Sequence, residues 1–113
     1  MTFERFDVVR VPFPFTGRQA HKNRPALVLS HAAFNVPARH SVMAMITSAK
    51  HSAWPLDVSI ADLGAAGLPA PSLVRFKLFT LDHRFVRGQL GRLAKSDQIK
   101  VREALAGVLG SGG

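Results

Sequence analysis

The chain reads as a mainly β protein, a small curled antiparallel barrel with one helix at its C-terminal end. Short apolar or alternating runs recur at close spacing, over 7–15, 26–29, 41–48, 56–60 and 72–79. Proline, glycine and asparagine punctuate the stretches between them, as in a sheet of short strands. Only 96–109 repeats apolar residues at helical spacing, through Val101, Leu105 and Val108. At 113 residues the expectation is one domain over 1–110, with 111–113 as a flexible tail.

In the first run Val9, Val11, Phe13 and Phe15 share one face by period two, and Phe13 and Phe15 read as core. Pro12 and Pro14 lack N–H groups that would point to one side. The segment is therefore expected to leave the sheet as it passes Pro12. A polar loop over 16–23 leads back to Arg24. In Arg24-Pro25-Ala26-Leu27-Val28-Leu29, Pro25 pushes Arg24 into extended space. Ala26 to Leu29 are apolar on both alternating faces, as in a central strand. A connection holding Asn35 and Pro37 precedes the strand at 41–48.

Antiparallel pairing of these two strands would set Arg24 beside Thr47 and Ser48. Further strands are expected near 56–60, with Val58 and Ile60 on one face, near 72–79 and at 90–93. Between them come a turn-rich connection over 61–71 and a short helical turn over 80–83. Ser96 or a neighbour caps the final helix, and Gly110 ends it.

Fifteen basic against seven acidic residues leave a formal charge of +8, which points to an acidic partner: nucleic acid, protein or membrane surface. With no cysteine there can be no disulfide or thiolate metal site. No apolar run approaches a membrane span, and residues 1–10 have no signal-like core, so the expectation is a soluble cytoplasmic protein. The acids are scattered, no ligand spacing implies a metal, and no cofactor is expected. Glycine-rich phosphate loops and nucleophile elbows are also missing. A guanidinium fork beside hydroxyls at a sheet rim suits recognition of a phosphodiester.

The run Asp7-Val8-Val9-Arg10-Val11-Pro12-Phe13-Pro14-Phe15-Thr16 is followed by Lys22-x-Arg24-Pro25 and Ile46-Thr47-Ser48. Pro71-Ser72-Leu73-Val74-Arg75, Thr80-Leu81-Asp82 and Leu90-Gly91-Arg92-Leu93 come next. In this order the motifs resemble the MazF/PemK family of toxin ribonucleases from type II toxin–antitoxin pairs. The resemblance implies an SH3-like barrel, usually a homodimer, and a single-strand-specific endoribonuclease. It also implies an acidic antitoxin whose disordered tail folds onto the toxin.

On that resemblance Arg24 and Thr47 are the catalytic candidates. Lys22, Ser48, Ser72, Arg75 and His21 are candidates for RNA binding, and His21 is also considered as a proton acceptor. Ser72 and Arg75, three apart on a strand, face opposite ways unless a bulge intervenes, so one of them is structural. His31, His40, His51 and His83 form no pattern. Trp54 either stacks a base or anchors a core or dimer interface.

Phe6 stands where the family usually has glycine, Gly17 replaces a common acid, and Lys77 stands where some members carry an acid. These departures keep a non-catalytic binding barrel as an alternative. A gyrase-poison toxin resembling CcdB is a further alternative, but that family relies on a tryptophan near the C-terminus, whereas Trp54 is far upstream.

Overall fold

The computed structural model describes residues 2–13 and 22–110. Its elements in chain order are β1 (Asp7–Phe13), β2 (Lys22–Val28), α1 (Ala32–Ala38), β3 (His40–Ser48) and β4 (Val58–Ser59). They continue with α2 (Leu63–Ala66), β5 (Ser72–Asp82), β6 (Gly88–Arg92) and α3 (Lys95–Leu109). The six strands form one antiparallel sheet in the order β4-β5-β3-β2-β1-β6. The expected mainly β fold with a C-terminal helix is therefore present. The sheet curls into a half-barrel whose edges are β4 and β6. The expected tail at 111–113 and most of the loop over 16–23, His21 and Gly17 included, lie outside the described residues.

Alternation sorts the apolar side chains onto the two faces of the sheet. Val8, Leu27, Leu29, Ala44, Ile46, Val74 and Phe76 point toward α3, where Val101, Leu105 and Leu93 complete the larger core. Val9, Val11, Ala26, Val28, Met43 and Leu81 point the other way and close over Phe3. The central position of β2 is what its apolar run on both faces predicted.

Two prolines set where strand pairing stops. In an antiparallel strand, residues two apart direct their backbone groups to the same neighbour. The Arg10 carbonyl accepts from the Arg87 N–H, so residues 10 and 12 address the β6 side. Pro12 has no N–H to offer there, and β6 pairs with β1 only as far as Arg10. On its other side β1 keeps pairing with β2 through Phe13. The strand expected to leave the sheet at Pro12 loses one neighbour and keeps the other. Likewise Leu29 donates to the Val42 carbonyl, so residues 29, 27 and 25 address β3. Pro25 cannot supply the next rung, and the β2–β3 ladder ends at Ala26 and Met45.

The elements differ from expectation in four places. The connection holding Asn35 and Pro37 contains α1, where Asn35 is fully buried and its amide donates to the Phe3 and Ser30 carbonyls at 2.9 and 2.8 Å. A polar anchor holds this turn against the sheet, so it has no apolar period to read. The strand at 72–79 runs on to Asp82, and the helical turn expected at 80–83 falls at His83–Phe85 instead. Asp82 caps that turn, and hydrogen bonds from Arg84 hold its carboxyl down at about 2. The strand expected at 56–60 shrinks to β4, although Val58 and Ile60 are both buried as read.

The last difference is the cap of α3. Ala94 holds the N-cap position with no side-chain hydrogen bond, and Ser96 lies inside the helix. The first turn is secured from below instead. Asp97, fully buried, accepts the Ala61 and Asp62 N–H groups at 3.0 Å each and pairs with Lys100 at 3.1 Å. Burial alone would raise its pKa, but these donors more than offset it and hold the group below the usual carboxylate range. On the opposite flank α2 rests directly on β6, because a Cβ at Gly91 would lie 2.4 Å from the Ala65 carbonyl oxygen.

Phe6 adopts the left-handed conformation natural to glycine, with φ of 75°, while its ring is 5 % exposed and joins the larger core. The guanidinium carbons of Arg5 and Arg102 stand 4.9 and 5.9 Å from the ring centroid. The packing gained outweighs a backbone penalty of about 1–2 kcal/mol.

Phe6→Ala is expected to destabilise by about 3–5 kcal/mol. Phe6→Gly should cost less than Phe6→Ala, because it releases the backbone penalty. Urea midpoints placing the alanine variant above the glycine variant would contradict this. Asp97→Ala should cost about 2–4 kcal/mol at neutral pH, through two orphaned N–H groups and an unpaired ammonium. A carboxylate whose pKa is depressed on folding stabilises above its unfolded value and loses that contribution as pH falls through its folded value. The gap between Asp97→Ala and the unaltered protein should therefore narrow in acid, as denaturant titrations at pH 7 and pH 3 would show.

Candidate functional site

Where β2 and β3 part, the sheet face that carries the smaller core opens into a groove of about 490 Å³. Alternation alone determines much of its lining. Phe13 follows Val9 and Val11 on β1, Arg24 precedes Ala26 and Val28 on β2, and Met45 and Thr47 follow Met43 on β3. Ala26 pairs with Met45, so the same register carried two residues further sets Arg24 opposite Thr47. Arg75, Lys77, Leu78 and Phe79 of β5 form the far wall. His51, in the turn after β3, overhangs the end.

A bulge shapes the β5 wall. Met45 pairs with Arg75, but the adjacent Ala44 pairs with Leu78, so two extra residues fit into β5 here. The bulge begins after Arg75 and leaves the alternation between Ser72 and Arg75 intact. Arg75 faces the groove, whereas the Ser72 hydroxyl donates to the Ala70 carbonyl. Of that pair, Arg75 lines the groove and Ser72 does not.

Arg24 lies against the Phe13 ring with its guanidinium carbon 5.5 Å from the centroid. Its Nε is shielded from solvent and has no hydrogen-bond partner among the described residues. Arg75 is anchored differently. Its Nε and one terminal nitrogen donate to Asp57 at 3.2 and 2.9 Å, and the same terminal nitrogen donates to the Ser52 carbonyl. The hydrogen bonds to Asp57 raise the Arg75 pKa against a smaller opposing effect of burial. Asp57 also accepts the Trp54 N–H at 3.0 Å. One carboxylate and one guanidinium thus fold residues 52–57 against β5, with Leu56 forced to φ of 63°.

Trp54 stands at the lip of this fold, 40 % exposed, with Lys77 Nζ 4.6 Å and Arg75 Cζ 5.9 Å from its ring. It is no core anchor. Phe13 is likewise 36 % exposed and lines the groove, so it is not the core residue its period implied.

Of the residues singled out in the sequence, Arg24, Thr47 and Arg75 come together in the groove. Ser48 and Lys22 do not line it. Ser48 is exposed in the turn, its hydroxyl accepting from the Lys50 N–H, and Lys22 is exposed at the outer end of β2. His21 lies outside the described residues. The sequence reading had missed His51, Met45 and Phe79 as lining residues. No local signal marks His51, a single histidine in a polar turn, and the bulge in β5 has no composition of its own.

The sequence profile of the PemK-like, MazF-like toxins of type II toxin–antitoxin systems matches residues 4–109. The chain belongs to this family. Among solved structures it is similar to MazF in a MazE–MazF complex from Deinococcus radiodurans. The two are 28 % identical over 97 % of each chain, with a TM-score of 0.73. An endoribonuclease from a mycobacterial species, solved with its cognate antitoxin, has the same fold at 21 % identity. That likeness covers 98 % of each chain, with a TM-score of 0.78. Mycobacterium tuberculosis toxin MazF-mt6 shares the fold at 20 % identity over 91 % of this chain and 95 % of its own, with a TM-score of 0.72. No curated protein matches the sequence. Among the described residues of this toxin-family chain, no helix is long and apolar enough to cross a membrane.

Asp57→Ala is expected to free residues 52–57, since Arg75 and the Trp54 N–H lose their shared acceptor. Hydrogen exchange should then show lost protection at the Trp54 amide while the β3–β5 ladder stays protected. Unchanged protection at Trp54 would show that the carboxylate does not hold the loop.

Proposed function

We propose that this protein is a single-strand-specific endoribonuclease toxin that works without a metal in the cytoplasm and is held in check by an acidic antitoxin. The single observation that carries the reading is the shared groove of Arg24 and Thr47, a guanidinium and a hydroxyl on facing strands at a point where the sheet opens. Family membership supplies the substrate class, and the endoribonuclease among its structural likenesses agrees.

RNA brings its own nucleophile, the 2′-hydroxyl next to the scissile phosphate. The protein has to align that oxygen, stabilise charge on the phosphoryl oxygens and ease departure of the 5′-oxygen. The products are a 2′,3′-cyclic phosphate and a 5′-hydroxyl. Arg24 is assigned the phosphoryl charge, because it lines the groove and a planar guanidinium can contact two oxygens at once. Arginines, with pKa values above ~12, are poor proton shuttles, so the role is electrostatic. Thr47 holds a non-bridging oxygen. Lys77 and Arg75 add positive potential along the strand path, and Phe13, Phe79 and Trp54 offer faces for bases.

The same groove, cationic with apolar walls, suits an acidic antitoxin segment carrying apolar anchors. The MazE–MazF complexes among the relatives support such a partner. A homodimer follows from the family resemblance.

Arg24→Ala is expected to lower RNA cleavage in EDTA by about 10²–10³-fold with the fold intact. Arg24→Lys should recover little, because one ammonium cannot fork. Mass spectrometry of the ends left on a defined oligonucleotide should find cyclic phosphate and 5′-hydroxyl. Undiminished cutting by Arg24→Ala, or cleavage abolished by EDTA, would refute the assignment.

A further inference from the structure

We propose that His51 is the proton acceptor of the cleavage reaction, a catalytic residue held over the groove by the Arg75–Asp57 clamp. The inference rests on the ribonuclease reading above and adds to it the missing base. The polar groups that line the groove are Arg24, Thr47, Arg75, Lys77 and His51. Arginine and lysine are cations at neutral pH and cannot accept a proton, and a threonine hydroxyl is far too weak a base. Imidazole is the side chain whose charge changes between pH 5 and 8. Among the described groove residues, His51 alone meets the chemical requirement.

Its position is held from both sides. The His51 N–H donates to the Ser48 carbonyl at 3.2 Å, closing the turn straight after Thr47. Arg75 grips the Ser52 carbonyl, and Asp57 fixes Arg75 in turn. The backbone of an exposed histidine is thereby held beside the groove that its side chain helps to line, close in sequence to the hydroxyl assigned to the phosphate. Arg75, expected to bind RNA directly, spends three hydrogen bonds on this loop and acts as a positioning residue. Lys77, where some relatives carry an acid, stands two residues further along β5, and among the described groove residues the group that can accept a proton lies on another element.

In the proposed step a ring nitrogen of His51 takes the proton of the 2′-hydroxyl as the 2′-oxygen–phosphorus bond forms. The bond from phosphorus to the 5′-oxygen breaks, that oxygen takes a proton from water, and the hydroxide left behind takes the proton from His51, which returns the ring to its neutral form. The charged groups that line the groove with His51 among the described residues are Arg24 from β2 and Arg75 and Lys77 from β5, with Asp57 bound to Arg75.

Steady-state cleavage of a defined RNA oligonucleotide by the full chain tests this. His51→Ala and His51→Gln should each lower kcat by about 10²–10⁴-fold with KM little changed. Free imidazole should restore part of the rate to His51→Ala. The fall in kcat toward acid pH, where a protonated imidazole can no longer accept, should vanish in both variants. Full activity in either variant, or a loss confined to KM, would overturn the assignment of His51 while leaving the ribonuclease reading intact. Absence of cleavage by the unaltered protein would overturn both.

Discussion

The geometry of this protein turns on one missing donor. Leu29, just past β2, and residue 27 within it address β3, and position 25 is next in that series. Because it is proline, the rung fails and the two strands diverge beyond Ala26 and Met45. The side chains immediately past the last rung, Arg24 and Thr47, thus face each other across a gap instead of a ladder. Had another residue with an N–H stood at 25, the pairing could have run on and the groove would have been narrower. The arginine and the proline act as a unit: one provides the charge, the other the opening.

The rest of the site follows from how the far wall is built. A two-residue bulge in β5 lies opposite the last rung of β2 and β3, so the sheet is irregular on both sides at the same level. Such irregularity costs hydrogen bonds, and the chain recovers some of them through Asp57, which binds Arg75 and the Trp54 N–H together. A half-buried ion pair between side chains that are 11 % and 15 % exposed is weak evidence for stability, but it has a geometric use here. It fixes a loop that alternation and core packing leave undetermined. The cost of order is met by the larger core on the opposite face, which holds no groove residue but the backbone-sharing Ile46.

Phe6 shows the same trade at the other end of the molecule. Where glycine would sit without strain, this chain keeps a positive φ and fills the space with a ring packed into the core beneath two guanidinium groups. The turn therefore survives the substitution that the family comparison flagged. The backbone path into β1 is set by hydrogen bonds from the Phe6 N–H to Val28 and from the Leu93 N–H to the Phe6 carbonyl, which do not depend on the side chain.

Much was legible in the residues themselves, because local rules are short-ranged. Alternation placed β2 at the centre of the sheet and put Arg24 at its mouth, and Gly110 ended α3 with φ of 83°. Motif order identified the family, and with it the curled sheet and terminal helix. Only the tertiary structure decided the rest. Whether Phe13 is core or groove depends on which elements pack over its face of the sheet, and there it lines the groove. Whether Arg75 meets a ligand or Asp57 depends on a loop returning from eighteen residues away in the chain. His51 and the first turn of α3 gain their settings from partners distant in sequence, Arg75 gripping the carbonyl of Ser52 beside the one and Ala61 and Asp62 donating to Asp97 in the other. Period and propensity register neighbours within a turn or a strand; the contacts that make a site arise when the sheet curls, and no local pattern encodes them.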